Sequence, residues 1–107
     1  MRSLKHIVVS LVVAGAMPGA LAAGGDPEAG ALKAVTCMGC HGIPGYFTVY
    51  PTYHVPRVGG QHAGYVVDAL KAYKSGARSH KTMRAQAASL SEQDMADIAA
   101  YFESIKE

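Results

Sequence analysis

The chain has 107 residues, half of them hydrophobic, and carries ten Lys and Arg against eight Asp and Glu. This length permits one domain, and a formal charge of +2 is too small for a protein that binds nucleic acid through overall basicity. The two cysteines, Cys37 and Cys40, would close a very short loop if they were bonded to each other, which stabilises little. A disulfide framework is therefore disfavoured as well.

The N-terminus has the three-part pattern of a secretory signal peptide. Its parts are Arg2 and Lys5, an uncharged and mostly apolar run over residues 7–17, and the small residues of Ala20-Leu21-Ala22. The alternative is a membrane anchor, but the apolar run is shorter than the roughly 20 residues needed to span a bilayer. We therefore expect residues 1–22 to be removed, with the cut after Ala22 or Ala23. Residues 23–107 would then form one exported domain without a membrane anchor, in which eight basic side chains balance eight acidic ones.

Three helices are predicted in this domain. The first begins at Asp26-Pro27, an N-cap followed by proline at the first helical position, and runs into Cys37. The second spans residues 61–75, where apolar side chains recur at helical spacing, and Gly76 ends it. The third opens with a capping box at Ser91. The predicted buried faces of the last two helices are Tyr65, Val66, Ala69, Leu70 and Tyr73 on the second and Met95, Ile98, Ala99, Phe102 and Ile105 on the third.

Two long segments separate these helices. Residues 41–60 are rich in proline and glycine, and residues 77–90 are mostly polar, so both are predicted as loops, the second with at most a short turn of helix. Three helices joined by two such loops are unusual for a compact domain, and a domain this small buries only a modest core. An all-α fold therefore makes sense if the loops wrap a cofactor that supplies the missing core.

The motif that carries chemistry is Cys37-Met38-Gly39-Cys40-His41. In this C-x-x-C-H pattern each thiol adds to a haem vinyl group, and the following histidine lies beneath the ring, where it binds iron. Zinc would need two further ligands, and the chain has no second cysteine pair. A thioredoxin-like dithiol would need a βαβ setting, which the helical pattern lacks. The motif therefore predicts one covalently bound haem c, with Cys37 and Cys40 as thioethers and His41 as an axial ligand.

The second axial ligand must come from another part of the chain. The candidates in the mature domain are Met38, Met83, Met95, His54, His62 and His80. Met38 is inside the attachment motif and cannot reach the opposite face of the ring, while Met95 fits the buried stripe of the last helix. Met83 is favoured because it is an apolar residue in a polar segment, where it has no evident packing role. His54 and His80 lie in predicted loops and stay open on spacing alone.

The chain resembles the class I cytochromes c, in particular the small soluble bacterial members and the single-domain halves of their dihaem relatives. The stretches that carry the resemblance are Gly30, residues 37–42, residues 55–61, residues 76–78 and residues 90–102. Together they extend over essentially the whole predicted mature domain. The resemblance implies the class I cytochrome c fold: all-α, with three main helices and long loops wrapped around one covalently bound haem.

The resemblance also assigns individual residues. A methionine ahead of the closing Leu-Ser segment is the second axial ligand in this family, and Met83 matches it. A proline after the haem loop accepts a hydrogen bond from the axial imidazole through its carbonyl oxygen, and Pro56 is the best match. The first and last helices cross in the family, so Gly30 would allow their close approach, with Tyr101 or Phe102 packing against it.

Axial ligation by His41 and Met83 would leave no vacancy on iron for oxygen or substrate. We therefore expect an electron carrier rather than an enzyme. It would be periplasmic, monomeric or part of a small complex, and would transfer single electrons between respiratory or dehydrogenase partners. Two alternatives remain: a haem-c subunit of a larger oxidoreductase complex, and a ligand-sensing haem protein if Met83 is not bound to iron.

The partners are expected to be redox proteins, with no nucleic acid among them. Six basic side chains would steer an acidic partner surface if they surround the exposed haem edge. This basic cluster comprises Lys71, Lys74, Arg78, Lys81 and Arg84, with Arg57 nearby. The alternative is a solvated helix face, and the sequence does not choose between the two.

Overall fold

The structure is a computed structural model that describes residues 24–50 and 52–106. Its helices, in chain order, are α1 (Pro27–Lys33), α2 (Val35–His41), α3 (Ala63–Ser75), α4 (Lys81–Ala88) and α5 (Glu92–Ser104). Apart from one isolated bridge between Phe47 and His54, these described ranges contain no β-structure, so the predicted all-α class is confirmed. The predicted signal peptide, residues 1–22, lies outside the described residues. Within them, no helix is both long and apolar enough to cross a bilayer.

The first predicted helix is present but divided in two. It begins as expected, with the Asp26 side chain accepting a hydrogen bond from the Glu28 N–H at 2.9 Å. The backbone leaves helical geometry at Ala34, with φ −86° and ψ 3°. Helix α2 then continues to His41, beyond the predicted end at Cys37. The C-x-x-C-H motif therefore lies on a helix.

Helix α3 agrees with its prediction except at its start. It begins at Ala63 because His62 has extended backbone geometry and its N–H donates to the Gln61 side chain at 2.9 Å. Gly76 ends the helix as predicted. Its φ of +84° is a left-handed conformation that glycine adopts without steric cost.

The prediction for residues 77–90 was wrong in one part, because residues 81–88 form the regular helix α4. Most of its residues are strong helix formers, namely lysine, methionine, arginine, glutamine and three alanines. His80 provides the N-cap, a role that histidine seldom takes and that the sequence therefore did not reveal. Helix α4 packs on α3, so Met83 is carried by a helix rather than by a loop.

Helices α1 and α5 cross at very short distance, as the resemblance implied. A Cβ atom on Gly30 would lie 1.9 Å from the Asp97 carbonyl oxygen and 2.9 Å from the Tyr101 Cβ. A Cβ on Gly25 would lie 1.8 Å from the Ala96 carbonyl oxygen. Both positions therefore accept glycine alone, because a larger residue would push the two backbones apart.

Charged and polar groups also join α1 to α5. The Asp97 side chain is only 5% exposed and accepts hydrogen bonds from Asp26 N–H (2.8 Å), Lys33 Nζ (2.6 Å) and Gln93 Nε2 (2.8 Å). Lys33 also pairs with Asp94 at 2.8 Å. Hydrogen bonding to Lys33 is the main reason that the pKa values of both carboxyl groups are lowered to about 2.

The core is formed mainly by α5. Its predicted stripe is buried at Met95, Ile98, Ala99 and Phe102, while Ile105 is half-buried because the helix ends at the preceding residue. The capping box at Ser91 is present, with Asp94 as its second member. The other buried hydrophobic residues of the described chain are Ala34, Val66, Leu70 and Ala87. This is a small core, and it borders the cavity described next.

Candidate functional site

A cavity of about 500 Å³ lies between α2, α3, α4 and the loop that precedes α3. This volume is within the range of about 300–1,000 Å³ typical of small-molecule and cofactor pockets. Its lining includes each of the site residues predicted from the sequence: Cys37, Cys40, His41, Pro56 and Met83. The structure therefore brings together residues that lie far apart in the chain.

Helix α2 presents the two cysteines to this cavity. Their i, i+3 spacing places both on one helical face, and both are half-buried and free of disulfide bonds. Burial raises the pKa of the Cys37 thiol, which favours the neutral form over the thiolate. In the described part of the chain, no three His, Cys, Asp or Glu side chains converge as a metal site. The pair is thus arranged as two separate thiols on one wall.

The imidazole of His41 is held by the loop before α3. Its Nδ1 lies 2.6 Å from the carbonyl oxygen of Pro56. A carbonyl oxygen only accepts hydrogen bonds, so Nδ1 must carry the proton and donate it. In the neutral ring this leaves Nε2 with a free lone pair, the state in which an imidazole binds a metal.

Helix α3 forms the opposite apolar wall. The residues that the sequence assigned to its buried face all line the cavity: Tyr65, Val66, Ala69, Leu70 and Tyr73. Ile98 and Phe102 of α5 extend this wall from the protein core. The face that the periodicity predicted as buried is therefore turned mainly toward the cavity.

The cavity narrows the choice of a second axial ligand. Met83, His54 and His80 line it, whereas Met38 and His62 do not. Met95 is 1% exposed and belongs to the core, as its place in the α5 stripe predicted. Met83 is half-buried on α4 and is the one methionine among the lining residues.

Sequence reasoning missed an aromatic group beside Met83. The His80 ring lies between Tyr53 and Tyr73, with centroid distances of 4.5 Å and 6.1 Å. The Arg78 guanidinium lies 4.8 Å from the centroid of the Tyr73 ring and donates to the Tyr65 hydroxyl at 3.4 Å. Only the three-dimensional contacts reveal this group, because Tyr53 lies in the loop before α3, far from His80 in sequence.

The long loop before α3 is partly ordered by its own hydrogen bonds. Thr48 N–H donates to the Tyr53 carbonyl at 3.0 Å, and Val55 N–H donates to the Tyr46 carbonyl at 2.9 Å. This pairing lets the chain extend outward and return at Pro56, opposite His41. Val49 and Tyr50 near its tip are 89% and 96% exposed, and residues 43–56 contain no Asp, Glu, Lys or Arg.

The basic cluster does not form a continuous ring around the cavity. Arg78 lines the cavity, but Lys71 pairs with Glu92 at 3.3 Å, and Lys74 donates to the Leu90 carbonyl. These two lysines therefore lie at the junction of α3 with the start of α5. The remaining members, Lys81, Arg84 and Arg57, are exposed and are not among the cavity-lining residues.

The sequence model of the family described as cytochrome c matches residues 28–106. The chain belongs to the cytochrome c family. It is 37% identical to cytochrome c4 of Pseudomonas aeruginosa over 103 residues, which is 96% of this chain and 50% of that protein. A second cytochrome c4, from Stutzerimonas stutzeri, is 34% identical over 112 residues, covering 96% of this chain and 52% of that protein. Cytochrome c-554(548) of Halomonas halodenitrificans is 42% identical over 83 residues, covering 75% and 96%.

The chain thus spans about half the length of the two cytochrome c4 relatives and nearly all of cytochrome c-554(548). Membership of this family implies one haem c, bound covalently. The residues present fit that cofactor: two unbonded thiols and an imidazole with a free Nε2 line one cavity, whose walls are largely apolar.

Proposed function

We propose that the chain is a periplasmic carrier of single electrons in which His41 and Met83 are the axial ligands of haem iron. One observation carries this proposal. His41 on α2 and Met83 on α4 line a single cavity together with both cysteines of the attachment motif. Bound there, haem c supplies reversible one-electron oxidation and reduction of its iron.

Pro56 would fix the orientation of His41. The hydrogen bond from Nδ1 to the Pro56 carbonyl selects the tautomer with the lone pair on Nε2. A histidine ligand held in this way would keep a fixed ring orientation, and the bond would raise the basicity of the ring. Pro56 therefore acts through His41 and does not itself bind the metal.

Met83 and the apolar walls would set the potential. A thioether ligand favours ferrous iron and so gives a higher potential than a second histidine would. Val66, Leu70 and Phe102 line the cavity with apolar side chains, and the low dielectric of such a shell would add to the effect. If His41 and Met83 both hold the iron, an added ligand would find no open site, which argues against a sensing role.

Substitution of Met83 tests the ligation. A methionine sulfur on ferric haem iron gives a weak charge-transfer band at the red end of the visible spectrum, and histidine does not. The wild-type holoprotein should show this band, and Met83→Ala should lack it. The variant should also bind carbon monoxide readily in the ferrous state, and its potential should fall.

Met95→Leu is the matched control. Met95 is buried in the core and does not line the cavity, and exchanging methionine for leucine conserves volume. This variant should keep the band and remain unreactive toward carbon monoxide. A Met83→Ala protein that retains the band would show that another residue ligates the iron, and a wild type that lacks the band would favour the sensing alternative.

We further propose that residues 1–22 direct export and that haem is attached outside the cytoplasm. The charged start, the apolar run and the small residues of 20–22 support this. Deleting residues 1–22 should leave colourless, protease-sensitive chain in the cytoplasm. Fractionation followed by haem staining would check it, and abundant cytoplasmic holoprotein would contradict the export proposal.

A haem-c subunit of a larger oxidoreductase complex is the second candidate. The observation that favours it is the exposed apolar tip of the loop before α3, at Val49 and Tyr50. Such side chains are typical of a surface that contacts another protein. Size-exclusion chromatography of a native extract distinguishes the two, because a free carrier elutes as a small monomer and a subunit elutes with its complex.

A further inference from the structure

We propose that His80 is a positioning residue for Met83: its imidazole caps α4 and so holds the methionine in place to bind iron. The inference rests on the proposed ligation by His41 and Met83, and it goes further in explaining what keeps Met83 there.

The hydrogen bond joins His80 directly to the ligand residue. His80 has extended backbone geometry, with φ −168° and ψ 110°, and its Nδ1 accepts the Met83 N–H at 3.3 Å. The first N–H groups of a helix have no partner within it, and an N-cap side chain satisfies one of them. Here the bonded N–H belongs to Met83 itself. Since Nδ1 accepts, the neutral ring carries its proton on Nε2.

The capping ring in turn contacts two tyrosines. The Tyr53 ring, from the loop before α3, lies 4.5 Å away between centroids, and the Tyr73 ring of α3 lies 6.1 Å away with its plane at 77° to that of His80. The Arg78 guanidinium packs over the Tyr73 ring and so restricts the movement of that side chain. His80 is half-buried as a result, so its Nδ1 has a defined place relative to two walls of the cavity.

Helix α4 needs such a cap more than its neighbours do. It has eight residues, of which Ala87 near its end is the buried one, and its first turn contains no acidic residue. A helix this short is marginal without tertiary contacts, and fraying begins at its ends. Met83 is the third residue of α4, so fraying of the first turn would carry the sulfur away from the cavity.

Two substitutions separate the cap from the packing. His80→Asn keeps a good N-cap acceptor and removes the aromatic ring, whereas His80→Phe keeps a ring between the two tyrosines and removes the acceptor. In His80→Phe the population without the Met83–iron bond should rise by about two- to thirty-fold, which is the range for loss of an N-cap. The ferrous holoprotein should then bind carbon monoxide faster by the same factor, and its red charge-transfer band should weaken. His80→Asn should stay close to wild type in both measurements.

Ser91→Ala is the matched control. Ser91 caps α5 in the same manner, accepting the Asp94 N–H at 3.0 Å, but α5 carries no proposed iron ligand. Its loss should lower the free energy of unfolding without changing the band or the carbon monoxide rate. Equal acceleration in Ser91→Ala and His80→Phe would mean that the effect is general instability, and the proposal would fail.

Each of the other possible results of these substitutions leads to a different conclusion. If His80→Phe matches wild type while Met83→Ala loses the band, the ligation stands and the role of His80 is refuted. If His80→Asn is as impaired as His80→Phe, the ring rather than the acceptor positions Met83, which also overturns the proposal. If wild type lacks the band, or Met83→Ala retains it, the proposed ligation fails and this inference fails with it.

Discussion

Gly30 lies where α1 crosses α5, and a hydrogen atom is the only side chain that fits there. The carbonyl oxygen of Asp97 occupies the space that a Cβ would need. Such a contact involves backbone on both sides, so no rotamer change can relieve it. The close approach also lets Lys33, one turn further along α1, reach the carboxylate of Asp97 at 2.6 Å. The absence of a side chain at Gly30 thereby allows Lys33 and Asp97 to form their ion pair.

Gly30→Ala should destabilise the holoprotein by about 3 kcal/mol, at the upper end of the usual range for overpacking, because α1 must move away from α5. Gly64→Ala is the control, since Gly64 is also helical but a Cβ added there would have no other atom within 4 Å. That change should stabilise α3 by about 0.5–1 kcal/mol through better helix propensity. Denaturant unfolding followed by far-UV circular dichroism measures both, and a neutral Gly30→Ala would contradict the tight crossing.

Residues of the site differ in how far the sequence reveals them. Cys37, Cys40 and His41 are adjacent in the chain, so their shared chemistry is visible in a five-residue pattern. Met83 is recognisable because an apolar side chain among polar ones calls for an explanation. His80 could not be identified in this way, because its role depends on Tyr53, which only folding brings near.

At the scale of elements, local signals predicted three helix ends correctly. The caps at Asp26 and Ser91 and the glycine at 76 depend on neighbouring residues alone, and all three are present. Helix α4 was missed because its cap is a histidine and because Met83 is its one large apolar residue. The sequence signal that could have predicted α4 was its high content of strong helix-forming residues. The Lys33–Asp97 ion pair could not be predicted from the sequence either, because 64 positions separate the two residues.

The α1–α5 junction should be sensitive to acid. The pKa values of Asp94 and Asp97 are about 2 in the folded protein and lie below the ordinary value of about 3.9. A lowered pKa in the folded state means stability that is fully present above the ordinary pKa and lost as the pH falls through about 4 to 2. Unfolding measured across this range should show that loss, and Asp97→Asn should reduce it.

Asp68→Asn provides the comparison for that experiment. It changes the same charge on an exposed position of α3, away from the junction. Subtracting each variant from wild type removes the acid response of the rest of the protein. An Asp97→Asn variant whose acid profile parallels that of Asp68→Asn would show that the ion pair does not contribute.

At the scale of the whole molecule, the stability of the protein depends on whether the cavity is filled. The cavity measures about 500 Å³ and its walls are largely apolar, so without the cofactor that apolar surface would be exposed to water. Each Å² of exposed apolar surface costs roughly 25 cal/mol, whereas the whole stability of a typical domain is only about 5–15 kcal/mol. The protein core and the cofactor therefore have to be considered as one unit.

Replacing the two cysteines that we propose to attach haem should reveal this dependence of folding on the cofactor. Cys37→Ala or Cys40→Ala alone should reduce haem retention after acid-acetone extraction, from which the wild type should keep its haem. Both changes together should leave little folded protein, because the chain then lacks the group that fills its cavity. Haem staining and proteolysis report the two effects, and a stable, protease-resistant double variant would contradict the argument.

The uncharged loop before α3 has a consequence for the speed of encounters. An approaching partner that first meets residues 43–56 finds a surface without Asp, Glu, Lys or Arg. Collisions at that face would not be accelerated by long-range attraction, and added salt would leave their rate nearly unchanged. Collisions guided by Arg78 would become less frequent as ionic strength rises. At physiological salt the screening length is about 8 Å, so the attraction between the guanidinium and a distant carboxylate is weak. The slope of the electron-transfer rate constant against ionic strength therefore reports whether charge guides a partner's approach.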